Sequence, residues 1–263
     1  MRTLLQRSLG FWILLATLMG VASTLFAGVG GARYAMHTLE RHGGECGKNP
    51  CVSLLVEYPE FIDAGSDWIR SHLNGLVQET LLGKDDPMGV VPVLEAVRDS
   101  IIVQRLREVD NGSKEPWSIE RRITIIGDTV GVLTFKVTES RYTGGAHGNS
   151  MVLLQMVEEK SVKPIGLDEL LTPQQKDKLR DVAEPHFRAA RGLRQEESLT
   201  DAGFTFEDGK FVLTLNVGLT SEGLYFYYNQ YEIAPYVMGP TDFTVSWHEL
   251  SRAGLLGALL GQH

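Results

Sequence analysis

Histidine, tyrosine and glycine meet in one short stretch of this chain, Arg141-Tyr142-Thr143-Gly144-Gly145-Ala146-His147-Gly148-Asn149-Ser150. An imidazole exchanges a proton near neutral pH, and a phenol beside it donates a hydrogen bond. Glycines at 144, 145 and 148 let the backbone take positive φ at little steric cost. The combination suits a rigid recognition loop. It suits better a structural corner in which all three glycines take positive φ and His147 hydrogen-bonds across the turn. Tyr142, Thr143, Gly144, Gly145 and His147 are the candidate binding residues here. A phosphate cradle is disfavoured, because neither G-x-x-x-x-G-K-[ST] nor G-x-G-x-x-G occurs.

Glu232, between Tyr231 and Ile233, is a candidate of a second kind. It could act as a general acid or base, or accept hydrogen bonds from backbone near Pro235. Catalytic carboxylates work in pairs or with a raised pKa, and no partner is legible. His248-Glu249 begins an H-E-x-x-H pattern, but Arg252 stands where the second histidine is required. A helix starting after Ser246 accounts for these residues instead. No Ser-x-x-Lys or Gly-x-Ser-x-Gly nucleophile motif occurs. Leu224-Tyr225-Phe226-Tyr227-Tyr228 alternates faces as a strand. Either Phe226 and Tyr228 are core and Tyr225 and Tyr227 outward-facing binding candidates, or the reverse. The expectation is a protein with no catalytic residue, cofactor or metal.

These residues need a scaffold. Apolar residues at Trp68, Ile69, Leu73, Leu76, Val77 and Leu81 predict a helix over 67–82, and a weaker pattern predicts another over 93–107. Thr172-Pro173-Gln174-Gln175 is a capping box opening a helix, which Pro185 should kink or end. Strands are expected over 51–58, ended by Pro59, and over 117–126 and 129–140, turning at Gly127-Asp128. Others are expected over 150–157, 224–228 and 241–247. Asp208-Gly209 predicts a hairpin joining 203–207 to 210–217. The fold class is α+β: antiparallel sheets packed with two or three helices, preceded by one N-terminal apolar helix.

Arg2 and Arg7 precede an uncharged stretch, and residues 9–29 are long and apolar enough to cross a membrane as a helix. Residues 1–32 therefore read as a signal peptide with a G-x-A site at Gly30–Ala32, or as an uncleaved anchor. Either places the rest in the periplasm or on the outer face of the inner membrane. In that oxidising setting Cys46 and Cys51 are expected as a disulfide. The alternative is a metal site with His42, whose ligand set is incomplete for zinc. The 263 residues carry a net charge of −8, or −10 without Arg2 and Arg7. That balance disfavours nucleic acid and is compatible with a cationic partner.

The loop Tyr142-Thr143-Gly144-Gly145-Ala146-His147-Gly148 resembles the signature of an extracytoplasmic domain shared by RsiV-type anti-sigma factors and PdaC-type peptidoglycan deacetylases. These are domain-of-unknown-function families 4163 and 3298. Phe204-Thr205-Phe206, Asp208-Gly209, Tyr231-Glu232-Ile233-Ala234-Pro235-Tyr236 and Gly239 follow in the family's order. The resemblance spans roughly residues 50 to 252. It divides the chain into a linker carrying the cysteine pair (33–50), an N-terminal half (51–160), a C-terminal half (161–252) and a tail (253–263). RsiV-type members sense lysozyme through a domain joined to a cytoplasmic segment. PdaC-type members append a separate deacetylase domain. Neither addition is legible here, so the resemblance implies the bare module. Its implied role is binding or sensing a lysozyme-like protein or a cell-wall component; the alternative is a hydrolase or accessory domain acting on peptidoglycan.

Overall fold

A computed structural model describes residues 24–27, 32–44, 51–82 and 116–261. The first part is one seven-stranded sheet in chain order. Its strands are β1 (Thr24–Ala27), β2 (Arg33–Gly44), β3 (Cys51–Asp63), β4 (Trp117–Thr129), β5 (Val132–Tyr142), β6 (Asn149–Glu158) and β7 (Lys163–Ile165). All neighbours pair antiparallel except β3 and β4. A parallel pair needs a crossover, and helix α1 (Asp67–Leu82) begins it.

Ser66 starts α1 by accepting the Ile69 N–H at 3.2 Å. Leu73, Val77 and Leu81 then bury one face against Leu54, Val56, Ile119, Ile123, Phe135 and Val137. Trp68, expected on that face, is exposed and stacks on His72. At the other end Arg121 donates to the Leu81 carbonyl and pairs with Glu139. The cation thus satisfies a terminal helix carbonyl and ties the helix to the sheet.

A second part is built on a three-stranded sheet ordered β10-β9-β8. Its strands are β8 (Val217–Leu219), β9 (Gly223–Tyr228) and β10 (Thr241–Ser246). Around them lie α2 (Leu167–Leu170), α3 (Pro173–Ala190), α4 (Trp247–Arg252) and α5 (Leu256–Leu259). Thr172 and Gln175 form the expected capping box of α3. Phe187 of α3 is the hub of the core, ringed by Phe204, Phe206, Phe211, Tyr228 and Phe243. The α+β class stands, with two long helices and several short ones among the described residues.

Several local expectations give way to tertiary packing. Residues 33–44, expected as linker, are a strand, and 253–263, expected as tail, carry α5 with Leu255 and Leu259 in the core. Strand β3 runs through Pro59 to Asp63. Strand β4 pairs only with Val52–Glu57. The Phe61 backbone faces the open side of β3, so by alternation the missing Pro59 N–H falls there too and costs no ladder bond. The β4–β5 turn is Val130-Gly131, both at positive φ. Gly127 instead lies at a register shift within β4. Helix α3 continues past Pro185, with Ala183 and Phe187 buried on either side. Asp208 and Gly209 do take left-handed φ, yet their flanks do not pair. Phe206 and Phe211 turn into the Phe187 core instead.

The four described residues of the apolar run 9–29, Thr24–Ala27, are a strand rather than helix. The rest of that run, the predicted helix over 93–107, and Cys46 with its expected disulfide lie outside the described residues. Among the described residues no helix is long and apolar enough to cross a membrane.

The two sheets meet at backbone distance. A Cβ on Gly127 would stand 1.9 Å from the Leu219 carbonyl oxygen, and one on Gly218 would stand 2.4 Å from Thr134 Cγ2. Lys136 of β5 lies over Tyr225 at 5.4 Å and Tyr227 at 5.7 Å. The Tyr225 hydroxyl donates to Asp242 at 3.2 Å. Burial, then the Asp242 carboxylate, push the Tyr225 and Tyr227 hydroxyls above the usual phenol range.

Gly127→Ala should cost about 3 kcal/mol of stability by urea titration, because backbone on both sides must move. Thr134→Val should gain about 1 kcal/mol in the same titration, because the buried Thr134 hydroxyl has no hydrogen-bond partner among the described residues. The raised tyrosine values mean folding favours the neutral phenol. That stability is full below the ordinary tyrosine value of about 10 and falls as pH rises from there. Urea midpoints between pH 8 and pH 11 should show the fall, and Asp242→Asn should make it shallower without abolishing it.

Candidate functional site

The glycine loop joins β5 to β6, whose pairing ends at Arg141 opposite Asn149. Gly144 (φ 94°) and Gly145 (φ 99°) take the left-handed conformation. Gly148, expected to do the same, does not. It is constrained by space, since a Cβ there would stand 3.1 Å from the Arg141 carbonyl oxygen. Tyr142 donates its hydroxyl to the Gly145 carbonyl at 3.1 Å, bracing the loop from within. Thr143 and His147 are exposed.

His147 does not reach across the corner. Its Nδ1 lies 3.0 Å from the Gly148 carbonyl oxygen. A carbonyl only accepts, so Nδ1 carries the proton and Nε2 offers its lone pair outward when the ring is neutral. The ring stacks on Tyr236, with centroids 4.2 Å apart and planes 18° apart. Tyr236 donates to the same Gly148 carbonyl at 3.3 Å and packs against Tyr231 at 5.4 Å. The result is an aromatic ledge, Tyr231–Tyr236–His147, assembled from the loop of the first part and the segment after β9.

The ledge is held from behind. Arg191, at the end of α3, donates to the Met238 carbonyl at 2.9 Å and lies over the Phe204 ring. Tyr231 sits at φ 66°, strained for a side chain of this size, and is 62% exposed. Val237, next to Tyr236 in the chain, is 89% exposed. Exposed apolar residues of this size next to aromatic rings mark contact surfaces.

The remaining sequence candidates lie elsewhere. Tyr225 and Tyr227 face the large sheet beneath Lys136, while Leu224, Phe226 and Tyr228 enter the core. Glu232 accepts the Asn229 N–H at 2.7 Å and the Thr214 hydroxyl at 3.0 Å. Both its oxygens are therefore engaged in supporting backbone, and no described hydrogen bond links it to His147. Among the described residues no group of three His, Cys, Asp or Glu side chains could hold a metal. Sequence reasoning missed Tyr231 and Tyr236 as site residues. Their spacing around Pro235 was available as a signal, but their meeting with His147 depends on how the two parts dock.

Residues 45–150 match the sequence profile of a family described as deacetylase PdaC, and residues 168–248 match that of a protein family of unknown function, DUF3298. The ledge draws its histidine from the first match and its tyrosines from the second. A crystal structure of a DUF3298 member from Bacteroides fragilis superposes with a TM-score of 0.69 at 21% identity, covering 87% of this chain and 98% of that one. A DUF3298 protein from Pseudomonas aeruginosa gives a TM-score of 0.56 at 18% identity, covering 82% and 92%. At these identities the likeness is one of fold. No curated protein matches the chain. The two profiles in tandem, on a fold shared with DUF3298 structures, place this chain in the family of RsiV/PdaC-like domains with a DUF3298 C-terminal half.

Proposed function

We propose that this chain is a non-catalytic recognition module of the bacterial envelope, docking a cationic, lysozyme-like protein on the Tyr231–Tyr236–His147 ledge. The observation that carries the reading is the exposure of Tyr231 and Val237 beside a loop braced by the Tyr142–Gly145 bond and by Tyr236. Tyrosines on a rigid support are favoured anchors in protein interfaces, since little side-chain freedom is lost on binding. The net charge of −8 steers a basic partner toward the surface. The hydrolase alternative loses ground because the Glu232 carboxylate is occupied by Asn229 and Thr214.

Titrating the purified chain with lysozyme in a calorimeter at low salt should show binding that weakens as salt rises. Tyr231→Asn, which tolerates the left-handed backbone, should weaken it at least tenfold, or about 1.4 kcal/mol. Absence of lysozyme binding overturns the cationic-protein reading. Binding of soluble peptidoglycan fragments instead, lost in Tyr231→Asn, would assign the ledge to a cell-wall ligand.

A further inference from the structure

Helix α3 borders an open groove of about 680 Å³, whose other wall is the segment 207–213. Lys176, Asp177, Arg180, Glu184 and Arg188 form the helix wall. They follow one stripe of α3, and at about 1.5 Å per residue the stripe runs about 18 Å. An extended peptide of about five residues has that length. The opposite wall offers backbone. Tyr228 donates to the Val212 carbonyl at 2.7 Å and accepts the Thr214 N–H at 3.3 Å. Both groups therefore point inward. By alternation along an extended chain, the N–H and carbonyl of Phe211 and of Leu213 point the other way. None of these four groups has a hydrogen-bond partner among the described residues. Phe211 is buried and Leu213 half-buried, and backbone groups so placed call for a partner.

Charge selects what enters. On the helix wall Arg180 pairs with Asp177 at 2.9 Å, Arg188 with Glu184 at 2.8 Å, and Lys176 with Asp168. On the segment wall Glu207, Asp208 and Lys210 make no side-chain hydrogen bond or ion pair among the described residues. Two unpaired carboxylates against one ammonium leave that wall negative. Val212, 47% exposed, and Leu215, 86% exposed, add apolar side chains along the same segment. We propose that the groove between α3 and 207–213 takes an extended basic peptide. The peptide adds as a strand to Phe211 and Leu213 and sets a lysine or arginine against Glu207 and Asp208. A polypeptide presents donors and acceptors at the spacing of the unpaired backbone groups, and the unpaired carboxylates set the sign of its side chains. The groove shares no residue with the ledge and does not depend on what the ledge binds.

Titrating the full chain at low salt with a blocked five-residue peptide of alternating valine and lysine, followed by NMR, tests the site. At saturation the Leu213 amide should exchange at least fivefold more slowly, while the Thr214 amide, already held by Tyr228, should be unchanged. A valine–glutamate peptide of the same length should bind at least tenfold more weakly. The lysine peptide with its backbone nitrogens methylated, which cannot donate, should lose at least tenfold as well. Glu207→Gln/Asp208→Asn should weaken the lysine peptide about fivefold, since asparagine tolerates the left-handed φ of 52° at position 208. Tyr231→Asn should leave its binding unchanged, which separates the groove from the ledge. No added protection at Leu213, or no loss on methylation, overturns the strand pairing. Equal affinity for the lysine and glutamate peptides overturns the basic occupant.

Discussion

Hydrogen bonds from asparagine side-chain amides to strand edges hold this protein in register. Asn216 and Asn229 close the edge of β6. Asn74 of α1 does the same for β3, accepting the Phe61 N–H at 2.7 Å and donating to its carbonyl at 3.0 Å. A backbone group buried without a partner costs about 1–3 kcal/mol. Wherever one element covers the open side of a strand here, an amide must therefore be supplied to it. Because an amide offers one donor group and one acceptor in fixed geometry, it also sets the position of the covering element along the strand. The docking of the C-terminal part is thereby specified to the residue, at Val152 and Leu154, where apolar contact alone would allow sliding.

That specification permits the close packing beside it. Gly127 brings the backbones of β4 and β8 together, and Gly218 makes room on β8 for the Thr134 side chain of β5. Contact this close tolerates no slip, and the amide bonds a strand away prevent one. Lys136 beneath Tyr225 and Tyr227 adds a charged contact at the same junction. Two separate aromatic and aliphatic cores, around Phe187 and around Phe61, are in this way joined by a largely polar seam.

The sequence made the periodic elements legible and hid the ones set by docking. Helix α1 and the Thr172 capping box could be read because their signals are local. Asp208-Gly209 carries the backbone angles of a hairpin turn, but its flanks bear Phe204, Phe206 and Phe211, and burial around Phe187 outweighs ladder pairing. Gly127 could be misread as a turn because a glycine required by a neighbour far along the chain looks the same as one required by local φ. Within the site, the Tyr142–His147 loop was legible from its glycines. Its partners Tyr231 and Tyr236 were not, since nothing local connects residues so far apart in the chain.

The carbonyl oxygen of Gly148 receives both the His147 ring and the Tyr236 hydroxyl. One atom of the first part therefore registers whether the second part is in place. The ledge exists as a surface only in the docked arrangement, so any molecule that settles on it draws part of its affinity from that arrangement. By linkage, it must strengthen the docking by the same free energy. Occupancy of a small patch of rings becomes a mechanical property of the whole chain, a stiffening of the joint between its two parts.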